Sequence, residues 1–235
     1  TDFVPTSAAE VRKIIMSSPT SSCELDPIPT GLLKDYVDDF APYIAELVNK
    51  SLQDATFPAS MQHALVKPLL KSSHLDKQDL ASYRPVANMS YLSKVVERVV
   101  SIRLQNYLSE NGLQDSFQSA YREKHSVETA LLRVENDILT AMDNGQVVGL
   151  IMLDLSGAFD TVDHKILMDR LQHIGIGGKA LQWFRSYLSH RSQAVCVRSA
   201  TSKAVHLNFS VPQGSVLGPQ LFNIYTLPLH EIIKK

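Results

Sequence analysis

Apolar positions recur at helical spacing along most of this chain and switch to short continuous or alternating runs in only a few places. Ser7-Ala8-Ala9-Glu10 has the form of a capping box and predicts a short helix through Met16. The Ser- and Pro-rich stretch 17–29 reads as loop. From Thr30 the helical spacing runs through Leu33, Val37 and Phe40, and a second helix is predicted after Pro42. Residues 64–70 predict a strand and 71–82 a polar loop. Ser90 caps a long amphipathic helix that Gly112 ends, and Ser126 caps another that stops at Gly145. Beyond a strand starting at Val147, helices are predicted over 164–173 and 179–190. A hairpin of 193–198 with 204–210 around Thr201-Ser202 follows, then helical spacing from Gly218 through Leu221, Ile224 and Tyr225, interrupted at Pro228. Helices mixed with an antiparallel-leaning sheet make an α+β architecture.

One strand carries unusual chemistry. Leu150-Ile151-Met152-Leu153 is continuously apolar, which reads as a strand buried on both faces, and it ends in a single carboxylate, Asp154. An ionised Asp at that position is costly unless a cation or a donor meets it. Small residues then lead to Phe159, so the backbone can approach a ligand closely. Alone, the segment has a plainer reading: a strand whose final Asp caps the next turn.

Composition adds bounds. The 235 residues suffice for one large domain or two intimate subdomains, and 44% hydrophobic content with a mean hydropathy of -0.06 describes an ordinary globular chain. No apolar run approaches the roughly 18 residues of a membrane span. Thr1-Asp2-Phe3-Val4-Pro5 has neither the basic flank nor the apolar stretch of a secretory signal, and the absent initiator Met suggests a piece of a longer product. An intracellular protein, nuclear or cytoplasmic, is expected. Cys23 and Cys196 have no metal-ligand spacing and read as free thiols.

A net charge of -1 is a poor credential for a nucleic-acid binder, but its distribution is uneven. Up to Asn49 there are eight acidic residues against three basic; from Lys165 onward there are nine Lys or Arg against two acidic. An acidic flank and a basic half that could face a nucleic acid are suggested by this, beside the plainer alternative of a solvated basic surface.

A second segment, Val211-Pro212-Gln213-Gly214-Ser215-Val216-Leu217-Gly218-Pro219, joins the first. Together the two closely resemble motifs A and B of reverse transcriptases encoded by LINE-type (non-LTR) retrotransposons. Asp26-Pro27-Ile28-Pro29-Thr30, Tyr83-Arg84-Pro85-Val86 and Phe117-Gln118-Ser119-Ala120-Tyr121-Arg122 precede them in the family's order, so the resemblance covers essentially the whole chain. Gly157 stands where Ala is more usual.

The resemblance implies a right-hand polymerase. Residues 1–60 would be an N-terminal helical extension of the fingers, 61–145 the fingers, and 146–235 a partial palm. It implies RNA-directed DNA synthesis on an RNA template and DNA primer from deoxynucleoside triphosphates, by in-line attack assisted by two Mg2+ ions. Asp154 would be the catalytic carboxylate bridging both ions, with the Leu155 carbonyl helping to hold one. Phe159 would exclude a ribose 2'-hydroxyl; its plainer role is a core aromatic. Gln213 and Gly214 would line the nucleotide pocket, and Lys71 and Arg84 would clamp the triphosphate, Arg by its bidentate fork. Lys67 lies close enough to take the place of Lys71. Arg122, Lys124 and His125 open a helix and could meet template phosphates, or form a plain surface cluster. Asp160 and Asp163 read as helix N-caps, and His164 has no zinc-like spacing.

Two ions need more than one carboxylate. In the family the second set is an Asp-Asp hairpin downstream of motif B; none is read before Lys235, and the expectation is that this piece lacks both that hairpin and the thumb. Tyr36-Val37-Asp38-Asp39 copies the family's catalytic string but falls within helical spacing, where both carboxylates should face solvent. The expectation is therefore a reverse transcriptase piece inactive by itself. The alternatives are a non-catalytic RNA/DNA-binding remnant of a decayed or domesticated element, and a functionless product with a partly exposed core.

Overall fold

The computed structural model describes residues 2–155 and 157–233. Eight helices and five short strands are assigned among them. The helices are α1 (Ala8–Ser17), α2 (Thr30–Asp35), α3 (Val37–Gln53), α4 (Tyr91–Glu110), α5 (Val127–Asp143), α6 (His164–His173), α7 (Gly178–Leu188) and α8 (Gly218–Ile233). The strands are β1 (His63–Leu70), β2 (Tyr83–Asn88), β3 (Ser192–Val197), β4 (Ala200–Thr201) and β5 (Val205–His206). The expected α+β class holds.

Local signals explain several helix ends. Ser90 and Ser126 cap α4 and α5 by accepting from the Ser93 and Thr129 amides, and Gly112 and Gly145 follow those helices with φ of 62° and 71°. Only half of the expected box forms at α1. Ser7 accepts from the Glu10 amide, but the Glu10 carboxylate turns instead to Thr6 and to a two-pronged pairing with Arg103 of α4. The break expected at Pro42 falls six residues earlier, at Tyr36, and α3 runs through Pro42. Likewise α8 continues through Pro228, where a break was expected. Each proline forfeits one helical donor, and neither helix yields to that cost.

A single apolar cluster extends from Val11 to Ile224 and takes residues from α1, α2, α3, α4, α6, α7 and α8. Its aromatic centre is Trp183, stacked on Tyr187 at 5.6 Å and met edge-on by Phe57 at 5.6 Å. The indole N–H donates to Ser51 Oγ on α3 at 3.0 Å. The cluster's residues come from the chain up to Met61, from α4 and from beyond residue 146, while Ala64, Val66, Ala87 and Met89 form a second, smaller cluster.

The sheet has the order β2-β1-β3-β4, with β5 also on β3. β1 and β2 run antiparallel with Val66 opposite Ala87 and Leu69 opposite Arg84, whereas β1 and β3 run parallel with His63 opposite Ser192. β2 was not foreseen. Its Pro85 breaks the apolar pattern and is tolerated because β2 ends the strand order. The expected hairpin turns three residues early, at Arg198 with φ of 57°, and its return is split between β4 and β5.

The largest correction concerns the strand expected from Val147. Residues 146–155 form no strand and make no strand pairing among the described residues; Ile151 is 84% and Leu153 88% exposed. A continuous apolar run makes a buried strand only where flanking strands take its amides and carbonyls. Here β2, β1, β3, β4 and β5 complete their sheet without it. α5, directly before it, has no buried residue, with Leu131 and Leu132 both more than 60% exposed.

Candidate nucleotide-binding site

The segment after motif A and the start of motif B run side by side. Gly157, at φ of 64°, opens a turn in which the Asp160 and Thr161 amides donate to its carbonyl at 2.9 and 3.1 Å. The Phe159 carbonyl then accepts from the Val211 amide at 3.0 Å, and the Val162 carbonyl from Ser210 at 2.8 Å. Asp163 bridges to Phe209, and its side chain caps α6 by accepting from the Lys165 and Ile166 amides. Asp163 is thus the helix cap expected; Asp160 is not, because it sits within the turn rather than ahead of a helix. His164 Nε2 lies 2.7 Å from the Ser210 carbonyl.

Phe159 is half-buried, its ring 5.3 Å from that of Phe222 on α8. It packs at the foot of α8, where a Cβ added at Gly218 would stand 3.7 Å from it.

Gln213 and Gly214 dock on β2. The Gln213 carbonyl accepts from the Ala87 amide at 2.8 Å. Gly214 has φ of 112°, and a Cβ there would come within 2.8 Å of the Ala87 carbonyl, so the close approach depends on glycine. Arg84 lies three residues from Ala87 on the same strand, about 10 Å along it. Arg84 is exposed and forms no ion pair among the described residues. The motif B turn and the expected phosphate-binding arginine are therefore joined through one strand.

The two lysines are engaged elsewhere. Lys71 Nζ donates to the Ala81 carbonyl at 2.8 Å and closes its own loop. Lys67 pairs with Glu24 at 3.0 Å, and that carboxylate raises the ammonium's pKa. Arg122 donates to the Asp115 carbonyl at 3.0 Å and lines a cavity of about 470 Å³ with Phe117, Tyr121 and Asn223. Lys124 and His125 precede α5 and are exposed, His125 Nδ1 lying 2.9 Å from the Glu123 carbonyl. Asp38 and Asp39 are exposed in the first turn of α3, Asp38 paired with Arg12.

Asp154 does not join this assembly. It is exposed within the unpaired 146–155 segment, and no hydrogen bond or strand pairing among the described residues links it to Gln213. Its carboxylate and the Leu155 carbonyl have the oxygen chemistry that Mg2+ takes. No group of three Asp, Glu, His or Cys side chains among the described residues could hold a metal ion. Among the described residues the donors are too few for a pair of ions.

Residues without a motif hold the turn. Glu97 of α4 is fully buried; its Oε2 accepts from the Val216 and Leu217 amides at 2.8 and 3.2 Å, and its Oε1 from Ser93 Oγ at 3.2 Å. Burial pushes its carboxyl up, opposed by the charge of Arg191 and by those amides. Arg191 is also buried, donating to the Tyr187 carbonyl at 2.9 Å with its guanidinium 4.6 Å from the Tyr187 ring. Glu97 was visible in the sequence only as a carboxylate amid Val95, Val96, Val99 and Val100. Asp26, from the first family string, accepts from the Tyr91 amide at the start of α4.

Residues 75–235 match the family described as reverse transcriptase (RNA-dependent DNA polymerase). Over 96% of its length the chain is 30% identical to a probable RNA-directed DNA polymerase from transposon X-element of Drosophila melanogaster. It is 27% identical over 94% of its length to the RNA-directed DNA polymerase from mobile element jockey of Drosophila funebris. It is 24% identical over 87% to the group II intron-encoded protein LtrA of Lactococcus lactis subsp. cremoris. It spans 24% of the X-element and jockey proteins and 30% of LtrA. No helix among the described residues is long and apolar enough to cross a membrane. With its motif order, its fold and these relatives agreeing, the chain belongs to the reverse transcriptase family, as a reverse transcriptase domain of the non-LTR retrotransposon kind.

Proposed function

We propose that this chain supplies the fingers and first palm elements of an RNA-directed DNA polymerase, acting inside the cell. In this reading it grips an RNA template, a DNA primer and a deoxynucleoside triphosphate but does not join nucleotides alone. Residues 1–60 act as the fingers extension, 61–145 as fingers and 146–235 as palm. Gln213 and Gly214 line the nucleotide pocket and Arg84 meets its phosphates. Phe159 stands at the sugar, and Asp154 with the Leu155 carbonyl offers oxygen donors to Mg2+. Lys71 contributes only after leaving the Ala81 carbonyl, so Arg84 carries most of the phosphate contact.

The observation that carries this reading is the bond from the Ala87 amide to the Gln213 carbonyl, which fixes the motif B turn to the strand bearing Arg84. Divalent ions would stabilise the attacking and leaving oxygens, but the described residues offer too few donors for two ions, so no chemical step is assigned to this chain. The test is incubation of the purified chain with primed RNA, Mg2+ and deoxynucleotides. No extension is expected, while template–primer binding should weaken with salt and on Arg84→Ala. Extension abolished by Asp154→Ala would overturn the proposed inactivity; binding indifferent to salt would overturn the phosphate contacts.

The exposure of Asp154 favours a second reading, a non-catalytic RNA-binding remnant. It predicts RNA binding unchanged by Asp154→Ala and no nucleotide-dependent tightening.

A further inference from the structure

We infer that Glu97 is a positioning residue that sets the Gln213–Gly214 turn against β2 by gripping the backbone where that turn runs into α8. The inference rests on the reading of Gln213 and Gly214 as pocket residues. The turn is attached at two places. On one side the Gln213 carbonyl takes the Ala87 amide at 2.8 Å; on the other the Val216 and Leu217 amides both donate to one oxygen of Glu97. Between them the Ser215 amide donates to the Pro212 carbonyl at 3.0 Å, and Ser215 Oγ accepts from the Gly218 amide at 2.9 Å. Val216 and Leu217 precede the first turn of α8, whose amides lack helical acceptors and whose dipole favours negative charge.

The grip comes from a distant part of the chain, 119 and 120 residues away, and from a rigid element. Ser93 holds the second oxygen of Glu97 from one helical turn before it, and Ser93 and Glu97 are both fully buried. A buried carboxylate with three donors and a buried arginine nearby is an acceptor fixed in place rather than a solvated charge. Arg191 is itself tied to Met89, two residues past Ala87, by a 3.2 Å contact from Nη2 to the sulfur. Turn and helix thus meet at one carboxylate, and the turn's other attachment is to the strand at Ala87.

The experiment is amide hydrogen exchange on the chain, read residue by residue, for the wild type, Glu97→Ala, Glu97→Gln and Glu97→Asp. Gln keeps an oxygen for the two amides and turns its NH2 to Ser93 Oγ, which then accepts. Asp keeps the charge beside Arg191 but is one methylene too short. Exchange at Val216, Leu217 and the remote Ala87 should rise at least tenfold in the Ala and Asp variants and stay within about threefold of wild type in Gln. Amides of α1 and α7 should be unchanged, which separates release of the turn from general loosening. Ala87 protection undiminished in both Ala and Asp would overturn the inference, and should Ala not fold, Asp alone decides. Binding of a fluorescent deoxynucleoside triphosphate runs in parallel. Absence of binding by the wild type sinks the pocket reading while leaving the exchange result to judge Glu97, and wild-type affinity in a variant with a released turn sinks its role in positioning.

Discussion

Gly214→Ala is the sharpest test of how the motif B turn is seated. The backbone there has φ of 112°, beyond the left-handed region that Asn or Asp tolerate, and the new methyl would stand 2.8 Å from the Ala87 carbonyl, a backbone atom with little freedom to withdraw. Holding a non-glycine residue at such a φ costs about 1–3 kcal/mol. Relieving the clash by lifting the turn forfeits the Ala87–Gln213 bond, about 0.5–1.5 kcal/mol more. The expected loss is ~2–4 kcal/mol, or a fall in Tm of roughly 5–15 °C for a domain of this size. Urea unfolding with amide exchange at Ala87 measures both routes. Gly145→Ala is the internal reference, because Gly145 has φ of 71° and nothing within 4 Å of an added Cβ. It should lose only the backbone share, about 1 kcal/mol. A Gly214→Ala protein as stable as Gly145→Ala, with Ala87 still protected, would refute the close approach.

Leu153→Asp should change stability by less than about 0.5 kcal/mol and raise solubility, because Leu153 is 88% exposed; a loss of several kcal/mol would restore the buried strand that the sequence suggests. Arg191→Ala should cost about 1.5–3 kcal/mol by removing the buried charged donor to the Tyr187 carbonyl and its packing on the Tyr187 ring, and a denaturation midpoint near that of the wild type would count against the weight of those contacts. The Arg103 guanidinium holds the Glu10 carboxyl below its ordinary value, so this stabilisation is complete above the unfolded carboxyl's pKa of about 4.3 and is lost as pH falls through the lower folded value. Arg103→Ala should therefore cost about 2 kcal/mol at neutral pH and flatten the acid limb of the stability curve, whereas a parallel downward shift at every pH would refute the linkage.

The sequence by itself determined the family, the motif order, and the helices whose ends are written locally. Ser90, Ser126, Asp163, Gly112 and Gly145 act on backbone groups within a few residues, so their meaning survives without knowledge of the rest of the fold. It also placed Asp38 and Asp39 on a solvent-facing helix despite their misleading string. Tertiary structure decided what depends on distant partners. An apolar run such as 150–153 specifies burial only when neighbouring strands complete its hydrogen bonds, and among the described residues none does. β2 emerged because β1 offers it a ladder, and Glu97 gained its role from amides more than a hundred residues away. Hydrophobic periodicity reports which face of a segment avoids water, whereas the partner of a buried polar group is fixed only when the chain closes upon itself.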